Sequence, residues 1–198
     1  MHEPHAEMIP TDLLIEAYSQ GIFPMAMEDG EMGWFSPDPR AIIPLEDFHV
    51  PHGLKRTLRK NPFEIRIDTA FEKVMRECAA REETWISEEI IESYCVLHRR
   101  GMAHSVEAWL GGRLAGGLYG VSLGAAFFGE SMFHHVTDAS KVALWALVRL
   151  MRGNYFRLLE VQWLTPHLKT FGAVEIPRDK YMKLLKQSLG ETCQFPAK

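Results

Sequence analysis

Two short stretches of this chain place acid and amide groups at spacings that can do chemistry. In Gly129-Glu130-Ser131-Met132-Phe133 a carboxylate follows the apolar run Ala125-Ala126-Phe127-Phe128. Residues two apart on a strand share a face, so Glu130 is expected beside Phe128 and Met132. A carboxylate among aromatic and thioether groups suits a cationic group in an apolar cleft; the alternative is a strand-end Glu facing water. In Glu160-Val161-Gln162 the same spacing puts an acid and an amide on one face. Such a pair can orient an amine nucleophile and a developing oxyanion, although polar pairs also end strands without function.

Three further groups have the types, if not the spacing, of working residues. Lys55, Arg56, Arg59 and Lys60 fall on one side of a helix with no acid among them. They read either as phosphate contacts, which position nucleic acid without reading its sequence, or as a solvated face. Phe23, Trp34, Phe35, Trp85 and Tyr94 are core candidates by default. Trp85, flanked by polar residues, can instead line a pocket or stack on a base. His134-His135, His104 and His167 lack carboxylate or Cys at ligand spacing, so they read as hydrogen-bonded histidines rather than a metal site.

Several chemistries are excluded by missing motifs. No G-x-x-x-x-G-K-[ST] or H-E-x-x-H occurs, which removes P-loop nucleotide hydrolysis and zincins. The nearest approach to a coenzyme A pyrophosphate loop, Arg113-Leu114-Ala115-Gly116-Gly117, lies inside a strand rather than opening a helix. Lys+Arg 22 against Asp+Glu 26 gives a net charge of -4, which rules out a polybasic coat but not a local basic face. Cys78, Cys95 and Cys193 match no zinc pattern and read as reduced thiols. Met1 to His5 has no signal-peptide character and no apolar run is long enough to span a bilayer, so a cytoplasmic protein is expected.

The elements that must position these residues follow from periodicity and punctuation. Thr11 to Gln20 reads as a helix stopped by Gly21, and Ile22 to Arg40 as an irregular loop dense in Gly, Pro, Met and aromatics. Strand-like Ile42–Leu45, helical Pro51–Lys60, alternating Phe63–Ile67, and helices over Ala70–Ala80 and Ser87–Arg100 follow. His104–Leu110 and Arg113–Val121 form a hairpin on Gly111-Gly112, with a third strand at Ala125–Ser131. Asp138 is placed as the cap of a helix over Ala139–Met151, before a strand at Arg157–Gln162. Thr165-Pro166 opens a short helix ending near Gly172, then come Ala173–Ile176 and a last helix from Pro177. Three meandering strands, then helix, strand, helix and strand indicate an α+β fold with a mixed sheet, analogous to the acetyltransferase (GNAT) fold.

A set of ordered motifs goes further than any single one. AYSQGIFPM (17–25), WFSPDPR (34–40), TWI (84–86), LHRRGMAHSVEAW (97–109) and GGLYGVSLG (116–124) are followed by FFGESMF (127–133), DASK (138–141), EVQ (160–162) and GAVEIPR (172–178). In this order and spacing the chain resembles the leucyl/phenylalanyl-tRNA–protein transferase family. The resemblance implies transfer of Leu or Phe, and Met less well, from aminoacyl-tRNA to the α-amino group of proteins beginning with Arg or Lys. That marks them for degradation by the bacterial N-end rule. It also implies a GNAT-like C-terminal domain, here 41–198, beside a short N-terminal domain, here 1–40, with no metal or small-molecule cofactor. A monomer suffices.

Residue by residue, the family's Asp-x-Gln falls on Glu160 and Gln162, with an acid one methylene longer, and both are catalytic candidates. An apolar pocket for the donor side chain falls on Phe127, Met132 and Leu118, with Ser131 adjoining. Trp85 and Tyr94 match aromatics around the aminoacyl-adenosine, and Met25 stands where the family's GIFPW motif has Trp. Glu130 matches the acid of GESMF, a partner for a cationic acceptor, and Lys55, Arg56, Arg59 and Lys60 are the candidate tRNA contacts. Two rivals follow from the departures and the fold: a non-catalytic tRNA or N-degron binding module, and a coenzyme A acyltransferase.

Overall fold

A computed structural model describes residues 8–196; the reading of Met1 to His5 lies outside them. The chain opens with helix α1 (Thr11–Ser19), strands β1 (Phe23–Ala26), β2 (Met32–Phe35) and β3 (Arg40–Ile43), helix α2 (His52–Lys60) and strand β4 (Glu64–Ile67). Helices α3 (Phe71–Ala79) and α4 (Glu88–Arg99) precede the meander β5 (Ala103–Leu110), β6 (Arg113–Leu123) and β7 (Ala126–His134). Helix α5 (Ala139–Gly153), strand β8 (Leu158–Glu160), helix α6 (Pro166–Lys169), strand β9 (Val174–Ile176) and helix α7 (Arg178–Leu189) complete it.

Seven strands form one sheet in the order β4-β5-β6-β7-β8-β3-β9. All its pairs are antiparallel except β7 with β8, so the mixed sheet expected from the element order is present. The chain crosses through α5 between the parallel strands, as a parallel pair requires. Leu14 and Tyr18 of α1, Phe71 and Val74 of α3, Ile90 of α4 and Tyr181 of α7 share a core on one face of the sheet. Leu54 of α2 and Val142, Leu144 and Leu147 of α5 belong to the core on the other face. The N-terminal helix therefore buries its apolar side against the sheet rather than in a core of its own.

Where local chemistry is strong, the elements sit where the sequence places them. Gly111 and Gly112 both take the left-handed region (φ 56 and 76), as a two-residue hairpin turn needs. The Thr165 hydroxyl accepts from the Leu168 N–H, with Pro166 in the first turn. Two expectations are corrected. The stretch from Ile22 to Arg40 is not an irregular loop: β1 and β2 form a hairpin in which Met25 opposes Gly33 and Pro24 opposes Trp34. Asp138 stands at the N-cap position of α5, in the left-handed region (φ 68), but its side chain makes no cap bond. Its carboxylate is taken up elsewhere, by the Thr57 hydroxyl at 2.7 Å and Lys141 Nζ at 2.8 Å.

A third correction shapes the site. On β6 and β7, Leu118 opposes Met132 and Tyr119 opposes Ser131, but Gly120 opposes Gly129. Glu130 is left without a partner, in a bulge. The extra residue shifts the alternation, so Phe128 and Phe133 belong to one core while Phe127 and Met132 belong to the other. Glu130 thus does not share a single face with both Phe128 and Met132. Gly120 is what allows the close approach: a Cβ there would overlap the Phe128 carbonyl oxygen and lie 2.5 Å from the Phe127 ring. We expect Gly120→Ala to cost about 1–3 kcal/mol of stability, the usual penalty of overpacking, read as a lower urea midpoint at unchanged slope.

Candidate active site

Strands β7 and β8 pair only from Ala126 to Phe128 against Leu158 to Glu160. Beyond that β7 runs on to His134 while β8 stops, and the parted strands open a cavity of about 580 Å3. Its apolar wall is Leu118, Met132, Leu144, Leu147, Leu159 and Val161. Phe23, Met25, Trp85 and Trp163 add an aromatic and thioether side. At the polar end stand His134, Asp138, Lys141 and His167, where burial and the neighbouring Lys141 and His134 hold His167 below its ordinary value.

The structure brings seven of the ten catalytic and substrate-pocket candidates to this cavity: Met25, Trp85, Leu118, Glu130, Ser131, Met132 and Gln162. Tyr94, Phe127 and Glu160 are not on its wall. The Phe127 ring is fully buried behind it, 5.5 Å from Phe195. Tyr94 is also fully buried and meets the cavity only through hydroxyls: it hydrogen-bonds Tyr18 Oη, and Tyr18 Oη lies 2.7 Å from Glu130 Oε1. Tyr18 has one proton, so giving it to the carboxylate leaves Tyr94 to donate to Tyr18.

Glu160 closes a network from below. It is fully buried, and its Oε1 accepts from Arg40 Nη1 at 3.1 Å and from the Gln162 N–H at 2.6 Å. Arg40 is equally enclosed: Nη2 donates to the Gly21 carbonyl, and the guanidinium stacks 4.5 Å from the Tyr181 ring centroid. The expected shared strand face of Glu160 and Gln162 does not exist, because β8 ends at Glu160 and Gln162 turns into the left-handed region (φ 56). That backbone is unfavourable for a residue with a Cβ and persists where neighbours hold it, here the Glu160 carboxylate. The turn sends Gln162 to the cavity, where Nε2 donates to Glu130 Oε1 at 3.3 Å.

Burial pushes the Glu130 carboxyl up to about 8, with the Tyr18 hydrogen bond opposing, Glu160 adding and Arg40 opposing. Burial likewise raises Glu160, to about 7, against the pull of Arg40 and the Gln162 N–H. Lys55, Arg56, Arg59 and Lys60 are all exposed on α2 and form no ion pair among the described residues. The Thr57 hydroxyl ties this helix to Asp138 at the cavity's polar end. The histidines away from the cavity are satisfied locally, His104 by Asp68 at 2.7 Å and His135 by Glu77 at 2.8 Å. No group of three His, Cys, Asp or Glu side chains able to hold a metal occurs among the described residues.

Tyr18, Arg40, Trp163 and Arg81 join the site without having been singled out by type or spacing. Tyr18 and Arg40 lie inside the blocks AYSQGIFPM and WFSPDPR, but their roles depend on partners 112 and 120 positions away. Trp163 directly follows Gln162 and is 44% exposed, its ring edge-on to Phe23 at 5.2 Å. Arg81 lines the cavity and donates to the Met132 carbonyl next to the bulge.

Comparison with known proteins covers almost the whole length of the chain. The family model described as leucyl/phenylalanyl-tRNA protein transferase matches residues 42–186, and that of the N-terminal domain of the same proteins matches 7–38. The chain belongs to this family. A leucyl/phenylalanyl-tRNA–protein transferase of Akkermansia muciniphila is 56% identical over 190 residues, covering 93% of this chain and 98% of the relative. One from Herpetosiphon aurantiacus is 58% identical over 184 residues, 92% of this chain and 96% of the relative. One from Paramagnetospirillum magneticum is 54% identical over 193 residues, 94% and 92% of the two chains.

The raised carboxyls make a stability prediction. Glu130 binds its proton more tightly folded (about 8) than at the ordinary 4.5. Its contribution is fully present below that ordinary value and is lost as pH rises towards the folded one. Urea unfolding should show stability falling between pH 4.5 and about 8, and Glu130→Gln should flatten that slope. An unchanged slope in the variant would place the titrating group elsewhere.

Proposed function

We propose that this protein transfers Leu or Phe, and Met less well, from aminoacyl-tRNA to the α-amino group of proteins that begin with Arg or Lys, in the cytoplasm, marking them for N-end rule degradation. The observation that carries the reading is one cavity in which a wall of aliphatic side chains meets a carboxylate and a carboxamide, Glu130 and Gln162. In this reading 1–40 is a short N-terminal unit, 41–198 is the aminoacyl transferase domain, and the enzyme works as a monomer.

The chemistry needs no further activation. An aminoacyl ester already carries the energy of the amide to be made, so the work is to align amine and carbonyl, remove a proton and stabilise an oxyanion. The donor side chain occupies the wall formed by Leu118, Met132, Leu144, Leu147 and Leu159. An apolar pocket discriminates by only about 1–3 kcal/mol per methylene, which accounts for tolerance of Met beside Leu and Phe. The terminal base of the tRNA stacks on the side of the cavity bearing Met25, Trp85 and Trp163. Trp163 supplies there the flat π face that Met25 lacks, since every base can stack on an exposed indole. Lys55, Arg56, Arg59 and Lys60 bind acceptor-stem phosphates at the polar end. The acceptor's cationic group is drawn to Glu130, and Gln162 supplies a donor for the oxyanion.

Two experiments test this reading. Incubation with radiolabelled Leu-tRNA and a peptide starting with Arg should move label to the peptide, and Gln162→Ala should slow turnover by roughly 100-fold or more with the fold retained. RNA binding without transfer, against an active relative, is the result expected of a non-catalytic tRNA or N-degron binding module. The charge reversal Lys55→Glu/Arg59→Glu should weaken aminoacyl-tRNA binding and make its salt slope shallower by roughly 0.7–0.9 for each phosphate left unneutralised. An unaltered slope would make α2 a solvated face.

A further inference from the structure

Two carboxylates belong to the network at the end of β8, and only one of them reaches the cavity. Glu160 is fully enclosed, engaged by Arg40 and by the backbone of Gln162, and forms no part of the wall. Glu130 lines the cavity from the bulge in β7. Its Oε1 receives the Tyr18 hydroxyl and the Gln162 carboxamide, while Oε2 has no partner among the described residues and is shielded from solvent. Glu160 Oε2 is likewise without a partner among the described residues, but Glu160 lies off the cavity wall, so of these two oxygens only that of Glu130 belongs to a residue that a donor entering the cavity meets.

We propose that Glu130 is the catalytic residue that takes the proton from the acceptor's α-ammonium, and that Glu160 is a positioning residue that holds Gln162 in its turn. The inference rests on the transferase reading above and assigns the proton within it. A base must come within hydrogen-bond reach of the proton it removes. Glu160 is off the cavity wall, and turning it into the cavity would pull it from Arg40 and leave a buried guanidinium unpaired. Glu130 needs no movement of that kind, because the bulge has already turned it out of the ladder, as bulges beside active sites do.

The step balances. The Glu130 carboxylate accepts one proton of the ammonium. The freed lone pair forms the C–N bond with the aminoacyl carbonyl carbon, and the ester C–O bond breaks. The nitrogen's second proton leaves on the departing ribose oxygen, and Glu130 returns its own proton to solvent once the product has gone. Gln162 keeps a second N–H for the oxyanion while its first holds Glu130. The charged and titratable groups facing Glu130 are Tyr18 on α1, Arg40 on β3, Tyr94 on α4, Tyr119 on β6, Glu160 on β8 and Tyr181 on α7. Burial brings the carboxyl up to about 8. An α-amino group ordinarily titrates at about 7.7–8.0, so the proton passes between matched partners.

The test is single-turnover transfer from Leu-tRNA to an Arg-starting peptide, measured for the wild type, Glu130→Gln and Glu160→Gln from about pH 6 to about pH 9. At saturating peptide Glu130→Gln should be slower by about 100-fold at neutral pH, beyond any weakening of peptide binding, with half-saturation by aminoacyl-tRNA within about twofold. That deficit should shrink as pH rises past about 8, where the acceptor arrives as a free amine with no proton to remove. Glu160→Gln should also slow transfer, through a misplaced Gln162, but by a factor that does not change with pH. Aminoacyl-tRNA binding reports that each variant is folded. If Glu130→Gln does not bind, Tyr18→Phe replaces it, with a smaller deficit that also shrinks above about pH 8. A Glu130→Gln deficit that is constant with pH, or confined to KM for the peptide, would overturn the assignment. So would a Tyr18→Phe deficit constant with pH, or a Glu160→Gln deficit that shrinks. Absence of transfer by the wild type would instead strike the transferase reading itself.

Discussion

The end of β8 depends on one buried ion pair. Arg40 and Glu160 are each about 1% exposed at the side chain and meet at 3.1 Å. An ion pair so enclosed is favourable only when the remaining hydrogen-bonding capacity of both partners is used well. Arg40 turns to the Gly21 carbonyl and the face of Tyr181, and Glu160 to the Gln162 N–H. One guanidinium thereby joins β3, the turn after α1, α7 and β8. The Arg40 Nε and Glu160 Oε2 atoms remain without partners among the described residues, so the pair is held by surrounding packing as much as by its own bonds. What it yields is position: β8 ends at Glu160, and the carboxylate held by Arg40 in turn holds the Gln162 N–H.

Around that anchor the sheet is arranged to leave space rather than to fill it. Parallel pairing of β7 and β8 lasts three residues a side, from Ala126 to Phe128, and then the strands part. The bulge at Glu130 lies just beyond the last pair, and the left-handed Gln162 lies opposite it. These two departures from regular strand geometry meet at 3.3 Å, through Gln162 Nε2 and Glu130 Oε1. Backbone irregularities of this kind concentrate where side chains must be re-aimed. The Tyr94–Tyr18–Glu130 hydrogen bonds run behind them, away from the cavity. Gly120 makes the arrangement sterically possible, because no side chain fits between β6 and the bulged strand.

The charge is unevenly distributed over the surface. The net charge is -4, yet α2 presents Lys55, Arg56, Arg59 and Lys60 to solvent without ion-pair partners among the described residues. A local basic face steers and positions a phosphate backbone within a Debye length, while the acidic remainder discourages wider contact. Thr57 links that face to Asp138 and so to the polar end of the cavity.

Local preference accounts for most of the elements and for the types of the working residues. Helices α3, α4, α5 and α7, the Gly111-Gly112 hairpin and the Thr165-Pro166 helix start are set by periodicity, turn residues and caps. Part of the candidate site was legible as well, to the extent that Glu130, Gln162, Trp85, Leu118 and Met132 all line one cavity. The β1–β2 hairpin was not, because Pro24 and Gly33 break the alternation that would announce strands. The direction in which the critical side chains face came from packing alone. A bulge is defined by the register of a neighbouring strand, so nothing near Glu130 says that its alternation will slip. Glu160 looks like a site acid until Arg40, 120 positions earlier, takes it inward. Tyr94 and Phe127 carry pocket-like chemistry but are covered by elements remote in sequence, α1 and the Phe195 segment. Propensity acts over a few residues, whereas orientation is fixed by contacts between segments far apart along the chain.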